Sequence, residues 1–213
     1  FLWRGFAYGL FVTIAPLKTQ GKLILSHGIR QMSLNKTVVL VGMMGSGKTA
    51  VGKALAAELN VAFKDSDQEI SLAANRSIAE IFERDGEPFF RSVESKVLER
   101  LLQGPPCVLS TGGGAFMFGN NRALISKLGI SVFLSADLEL LWERVRSKDT
   151  RPLLKTADPK ATLSHIFEVR KDQYALADVT VQSHPNCSIA ETAEQVIAQL
   201  RAQPGVFSPA GET

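Results

Sequence analysis

At 213 residues, 45% of them hydrophobic and 21% charged, the chain is long and apolar enough for one packed domain, and disorder is not its default. Its formal charge of +3 does not mark a nucleic-acid binder: Arg4, Lys18, Lys22 and Arg30 lie in the first 35 residues, and the remainder holds 20 basic and 21 acidic residues, net −1. Cys107 and Cys187 lie far apart and His27, His165 and His184 form no cluster, which favours reduced thiols in a cytoplasmic protein and argues against a zinc site.

The first segment, FLWRGFAYGLFVTIAPL, is apolar and aromatic, but Arg4 and Pro16 interrupt it, so it is too short and broken for a membrane span. Residues 1–35 read as a leader or upstream extension ahead of a start at Met32, expected to be poorly ordered; a targeting peptide and a functional extension are the alternatives. From Lys36 onward strand-like and helix-like stretches alternate. Short apolar, β-branched runs at 37–41, 61–64, 107–110, 130–134 and 179–181 suit buried strands. Ala50, Val51, Ala54, Leu55 and Leu59 share one helical face, and Asn60 can close that helix in a left-handed turn. Ser77 with Glu80 reads as a capping box opening a second helix that Gly86 ends; Pro88 fits the first turn of a third. Helices are expected at 137–147 and 162–177, and Ser188 with Glu191 caps a last one reaching about residue 200. Strands alternating with helices predict a three-layer α/β/α domain over 36–203, built on a five-stranded parallel sheet, with 204–213 as a flexible tail.

In such a sheet, ligands sit beyond the carboxyl ends of the strands. Directly after the first strand, Gly42-Met43-Met44-Gly45-Ser46-Gly47-Lys48-Thr49 fits G-x-x-x-x-G-K-[ST], the phosphate-binding loop. Backbone N–H groups must converge on phosphate oxygens, which takes conformations costly to residues with a Cβ. The helix that follows aims its unpaired N–H groups at the same anion. Lys48 is placed to reach the phosphates and the Thr49 hydroxyl to ligate Mg²⁺. A dinucleotide-binding reading of 45–50 is the rival, with Asp65 and Asp67 as its ribose acid, but it accounts for neither Gly42 nor the Lys-Thr pair.

A phosphate loop does not name the acceptor. No Asn/Thr-Lys-x-Asp guanine motif is present, which argues against a GTPase switch. A small-metabolite kinase needs an acid for the acceptor hydroxyl, cations for the substrate's own charge, and an arginine-bearing lid. Asp65-Ser66-Asp67 ends the second strand, with two carboxylates expected to point the same way in an extended segment. Arg91 lies at a helix start among apolar neighbours, with Glu94 one turn on to hold it. Thr111-Gly112-Gly113-Gly114 follows the third strand, suggesting close backbone approach to a ligand. Residues 144–154, with Arg144, Arg146 and Arg151, read as the lid.

Together GMMGSGKT, DSD at 65–67, GEPFFRSVE at 86–94, TGGG at 111–114, RPLL at 151–154 and RKDQY at 170–174 resemble the shikimate kinase family in order and approximate spacing, over about 36–200. The resemblance implies a P-loop kinase fold with a lid and strand order 2-3-1-4-5, and MgATP-dependent phosphorylation of the shikimate 3-hydroxyl on the route to aromatic amino acids. It implies that Gly42, Gly45, Ser46, Gly47, Lys48 and Thr49 bind nucleotide, with Arg144 on adenine and Arg151 on the transferred phosphate. Asp65 resembles the acid that holds magnesium through water, beside Thr49. Lys48, Asp67 and Arg151 are the implied catalytic residues; Asp67, Arg91, Gly113 and Arg170 fall where the family binds shikimate. Residues 183–186 would border adenine. The implied partners are shikimate and ATP, in a cytoplasmic monomer that meets neither nucleic acid nor membrane. Another small-hydroxyl kinase, such as a gluconate-type enzyme, and a nucleotide-binding protein without kinase activity are the alternatives.

Overall fold

The computed structural model describes residues 32–147 and 152–209. Its centre is a five-stranded sheet of β2 (Thr37–Val41), β3 (Phe63–Asp65), β4 (Val108–Ser110), β5 (Gly129–Ala136) and β6 (Val179–Ser183), all parallel, in the spatial order β3-β4-β2-β5-β6. Counted within this sheet, that is the expected order 2-3-1-4-5. β2 reads TVVLV and is buried at every position, as a central strand covered on both faces must be. Successive side chains alternate. Val39 and Val41 therefore join the core on one face, with Leu109, Phe133, Leu98 and Leu163. Val38 and Leu40 join the other, with Val132, Val181, Leu55 and Val196.

Register decides where the site lies. Leu40 and Asp65 are both paired with Ser110, so β2, β3 and β4 end side by side. Their outgoing connections, from residues 42, 66 and 111, therefore meet at one sheet edge.

Helix α1 (Lys48–Glu58) packs on α7 (Ile189–Arg201) over one face. Asn60 takes φ 52° just after α1, as expected. Gly52 lets α1 approach the sheet: a Cβ there would lie 2.7 Å from Phe63 Cε2 and 3.0 Å from Leu40 Cδ1. Gly52→Ala therefore sets two terms against each other. The helix gains about 1 kcal/mol in propensity, while overpacking costs about 1–3 kcal/mol. The clash is with a ring and a strand side chain, so overpacking is expected to win, lowering Tm by roughly 2–4 °C in thermal denaturation; an unchanged or raised Tm would contradict this packing.

The other face carries α2 (Ser66–Ala74), α3 (Ile78–Leu102), α4 (Gly119–Leu128), α5 (Leu138–Val145) and α6 (Pro159–Tyr174). The capping boxes expected at Ser77/Glu80 and Ser188/Glu191 are both formed. The second and third helices expected from the sequence are the two arms of α3, joined across a kink at Gly86 (φ 78°, ψ 173°). Helices α2 and α4 were not anticipated. The segment 65–67 is also not the extended stretch expected: the strand stops at Asp65, whose side chain caps α2 by accepting from the Asp67 and Gln68 N–H groups.

The domain reaches past both ends of the 36–203 range. β1 (Met32–Leu34) pairs antiparallel with β7 (Phe207–Pro209). Leu34 and Val206 are buried in the α1/α7 core, and the Asn35 N–H donates to Val206 O at 2.9 Å. The end of the expected leader and the start of the expected tail thus hold each other, because both carry apolar side chains that this core covers. Residues 1–31 and 210–213 lie outside the described residues. Among the described residues no helix is long and apolar enough to cross a membrane.

Candidate active site

At the edge where β2, β3 and β4 end is a cavity of about 460 Å³. One wall is the phosphate loop. Gly42, Gly45 and Gly47 have φ of 139°, 84° and 96°, the left-handed region that the loop argument required. Gly45 also has no room for a Cβ, which would sit 2.8 Å from Val145 Cγ1 on α5. Helix α1 begins at Lys48 with no side-chain cap and no acid in its first turn, so its opening N–H groups remain for an anion. Lys48 Nζ donates to Gly42 O at 2.8 Å and Met43 O at 3.0 Å, folding the ammonium back over the loop. Ser46 Oγ is buried without a hydrogen-bond partner among the described residues, and Thr49 lines the cavity.

Asp65 and Asp67 line the same cavity, although Asp67 projects from the first turn of α2 and not from a strand. Thr49 and Asp65 form the expected magnesium set. No group of three or more His, Cys, Asp or Glu side chains that could hold a metal occurs among the described residues. One hydroxyl and one carboxylate beside a phosphate loop suit a hard cation that keeps most of its water and takes phosphate oxygens as ligands, which is magnesium's habit. The residues therefore fit that ion.

Gly112 and Gly113 line the cavity, and Gly112 and Gly114 also leave room for protein side chains. A Cβ on Gly112 would lie 2.7 Å from Asp67 Oδ1; on Gly113, 3.4 Å from Arg170 Nη1; on Gly114, 2.7 Å from Arg91 Nη2. Three consecutive residues thus seat three side chains brought from α2, α6 and α3. Neither Arg91 nor Arg170 lines the cavity directly: Arg170 rests against the lining residue Gly113, and Arg91 against Gly114, the next residue of the turn. Arg170 donates to Gly113 O at 3.0 Å, and the Tyr174 hydroxyl donates to the same oxygen. Tyr174 stacks on Phe133, and burial pushes its hydroxyl pKa up, with Arg170 opposing.

Arg91 lies between the rings of Phe90 and Phe118, 5.0 and 5.1 Å from their centroids. Its Nη1 donates to Glu94 Oε2 at 2.9 Å, while Nε and Nη2 both donate to Glu87 Oε1. Burial works against the Arg91 charge, but the two glutamates outweigh it and hold the pKa above its ordinary value. Glu94 is the strained partner. It is 1% exposed, and burial raises its pKa against the pull of Arg91, with Asp67 and Glu87 adding to the rise. Its Oε1 has no hydrogen-bond partner among the described residues.

Arg144 sits in the last turn of α5, not in a connecting loop, and donates to Gly45 O at 3.3 Å and Ser183 Oγ at 3.2 Å. It joins the phosphate loop to the end of β6, where Ser183 lines the cavity with Cys187, Ile189 and Thr192. Of the segment read as a lid, Arg151 and residues 148–150 lie outside the described residues. Sequence reasoning overlooked Tyr174, Ser66, Cys187 and Thr192. Tyr174 alone carried a signal, standing four residues after Arg170 and so on the same helical face.

The family model for shikimate kinase matches residues 44–201. A shikimate kinase from Ruegeria pomeroyi is 60% identical over 175 residues, covering 82% of this chain and 90% of that protein. Among solved structures, shikimate kinase from Acinetobacter baumannii in complex with shikimate is 38% identical with a TM-score of 0.71, over 78% of this chain and 93% of that one. A gluconokinase from Sinorhizobium meliloti, 20% identical with a TM-score of 0.55 over 80% of this chain and 94% of its own, is alike in fold alone.

Proposed function

The chain belongs to the shikimate kinase family and phosphorylates shikimate with ATP, and from that premise we propose how its residues divide the work. The observation that carries the proposal is convergence: the phosphate loop, the Asp67 carboxylate and a glycine turn bearing two arginines meet at one sheet edge. In this reading the loop N–H groups and the start of α1 hold the triphosphate. Lys48 leaves its two carbonyl partners for the phosphates, where its charge offsets what develops during transfer. Thr49 and Asp65 hold Mg²⁺, which supplies charge neutralisation on the phosphates. Asp67 orients the 3-hydroxyl and takes its proton. Arg91 and Arg170 face the shikimate carboxylate, Glu87 being the exposed partner that such an anion displaces from Arg91. Arg144 packs on adenine, and Arg151 meets the transferred phosphate. The enzyme acts as a monomer in the cytoplasm.

A coupled ADP assay with shikimate, gluconate and related alcohols tests the reading. Turnover is expected with shikimate and MgATP. Tight ATP binding with no turnover on shikimate would favour a nucleotide-binding protein without kinase activity, and preferred turnover of gluconate the other kinase.

The arginine clamp makes its own prediction. Arg91→Lys keeps the charge and loses the planar fork. One lost charge-assisted bond is worth about 1.5–3 kcal/mol, so the shikimate KM is expected to rise roughly ten- to hundredfold while the ATP KM stays within about twofold. Equal changes in both KM values would make Arg91 a structural residue.

A further inference from the structure

Ser66 stands between the two acids and has no part in the mechanism above. It is 2% exposed and is the first residue of α2. The N-cap is Asp65, whose Oδ1 accepts the Asp67 and Gln68 N–H groups, so the helix start does not call on the Ser66 hydroxyl. The Ser66 hydroxyl instead looks out of its helix: its Oγ accepts the Gly112 N–H at 3.2 Å, joining α2 to the turn after β4.

Gly112 is also the residue against which Asp67 rests. A Cβ on Gly112 would fall 2.7 Å from Asp67 Oδ1 and 3.3 Å from both Cγ and Oδ2, so the carboxylate, Oδ1 foremost, occupies the space that a side chain at 112 would fill. Gly112 is not among the residues with positive φ, so its backbone conformation is open to other residues and the missing side chain is what the site uses. One glycine is thus held from one side by the neighbour of Asp67 and faced on the other by Asp67 itself. A shift of the turn relative to α2 moves the surface on which the carboxylate sits.

We propose that Ser66 and Gly112 form a positioning pair for Asp67: the Ser66–Gly112 hydrogen bond fixes the gap between α2 and the glycine turn, and the missing Cβ fixes how far the carboxylate reaches into the cavity. The inference rests on Asp67 being the acid for the acceptor hydroxyl.

Steady-state kinetics in both substrates and thermal denaturation test it on Ser66→Ala, Ser66→Thr, Gly112→Ala, the Ser66→Ala/Gly112→Ala double variant and Asp67→Asn. A misplacement on the scale of an ångström costs up to about a hundredfold, so Ser66→Ala is expected to lower kcat roughly ten- to hundredfold with the ATP KM within about twofold and Tm nearly unchanged. Ser66→Thr, which keeps the hydroxyl, restores most of the rate. Gly112→Ala lowers kcat further, and the double variant is no slower than Gly112→Ala alone, because both changes disturb one contact. Normal kcat in Ser66→Ala beside a crippled Asp67→Asn would overturn the positioning pair and leave the acid standing. Normal turnover in Asp67→Asn would overturn the acid, and the pair with it. A Ser66→Thr as slow as Ser66→Ala, losses that multiply in the double variant, or a fall in Tm with both KM values changed would each overturn the pair.

Discussion

Asp67→Asn is expected to lower kcat by roughly two to four orders of magnitude while leaving ATP binding almost unchanged. Asparagine has nearly the same shape, so it can lie over Gly112 as the carboxylate does. What it loses is the charge and the ability to take a proton. Phosphoryl transfer depends mainly on positioning and electrostatics, but the acceptor hydroxyl must still be oriented and deprotonated. Asp65→Asn is the informative contrast. Asp65 caps α2, and asparagine caps about as well as aspartate. The helix should therefore stand, and the change should appear as a raised magnesium requirement. A magnesium titration of both variants at saturating shikimate checks the assignment. Rescue of Asp67→Asn by high magnesium, with Asp65→Asn unrescued, would mean that the two roles are exchanged. Normal turnover in both would remove the segment from the mechanism.

Lys48→Met is expected to lower kcat about a hundredfold or more. The substitution keeps the stem and removes the cation from the transferring phosphoryl group. The structure supplies a rival explanation, since Lys48 also braces the loop through the Gly42 and Met43 carbonyls. The two effects separate in measurement. A collapsed loop would weaken ATP binding about as much as it slows turnover; a lost transition-state contact slows turnover far more than it weakens binding. Near-normal kcat would sink the assignment of this loop as the site of phosphoryl transfer.

The phosphate loop was legible in the sequence because its chemistry is local: three positive-φ glycines, a lysine and a threonine must be adjacent to work. The strand order was legible only through the family resemblance, since parallel neighbours are set by tertiary packing. Helix α2 was missed because its opening acids, Asp65 and Asp67, read equally well as an irregular turn and a helix start, and its fully buried apolar residue is Ile70 alone. Helix α4 opens on Gly119-Asn120-Asn121 with no side-chain cap, which reads as a loop. The β1–β7 pair comes from two three-residue segments 173 or more residues apart, too short for any periodicity. At the site, the sequence named Arg91, Gly113, Arg170 and Asp67 but could not place one glycine under each of three side chains. That arrangement exists only when α2, α3 and α6 have packed around the turn.

The strand that carries the phosphate loop stands at the middle of the sheet, and both its neighbours follow it in the chain: β4 at 108–110 and β5 at 129–136. During synthesis at ~5–20 residues per second, a strand reading TVVLV leaves the ribosome roughly 5–20 s before its second partner exists. Until β5 exists at least one edge of this strand lacks its partner, which makes it a segment for chaperones to shield and for other nascent chains to capture. The cradle that a nucleotide grips therefore has sheet on both sides only once about residue 136 has emerged.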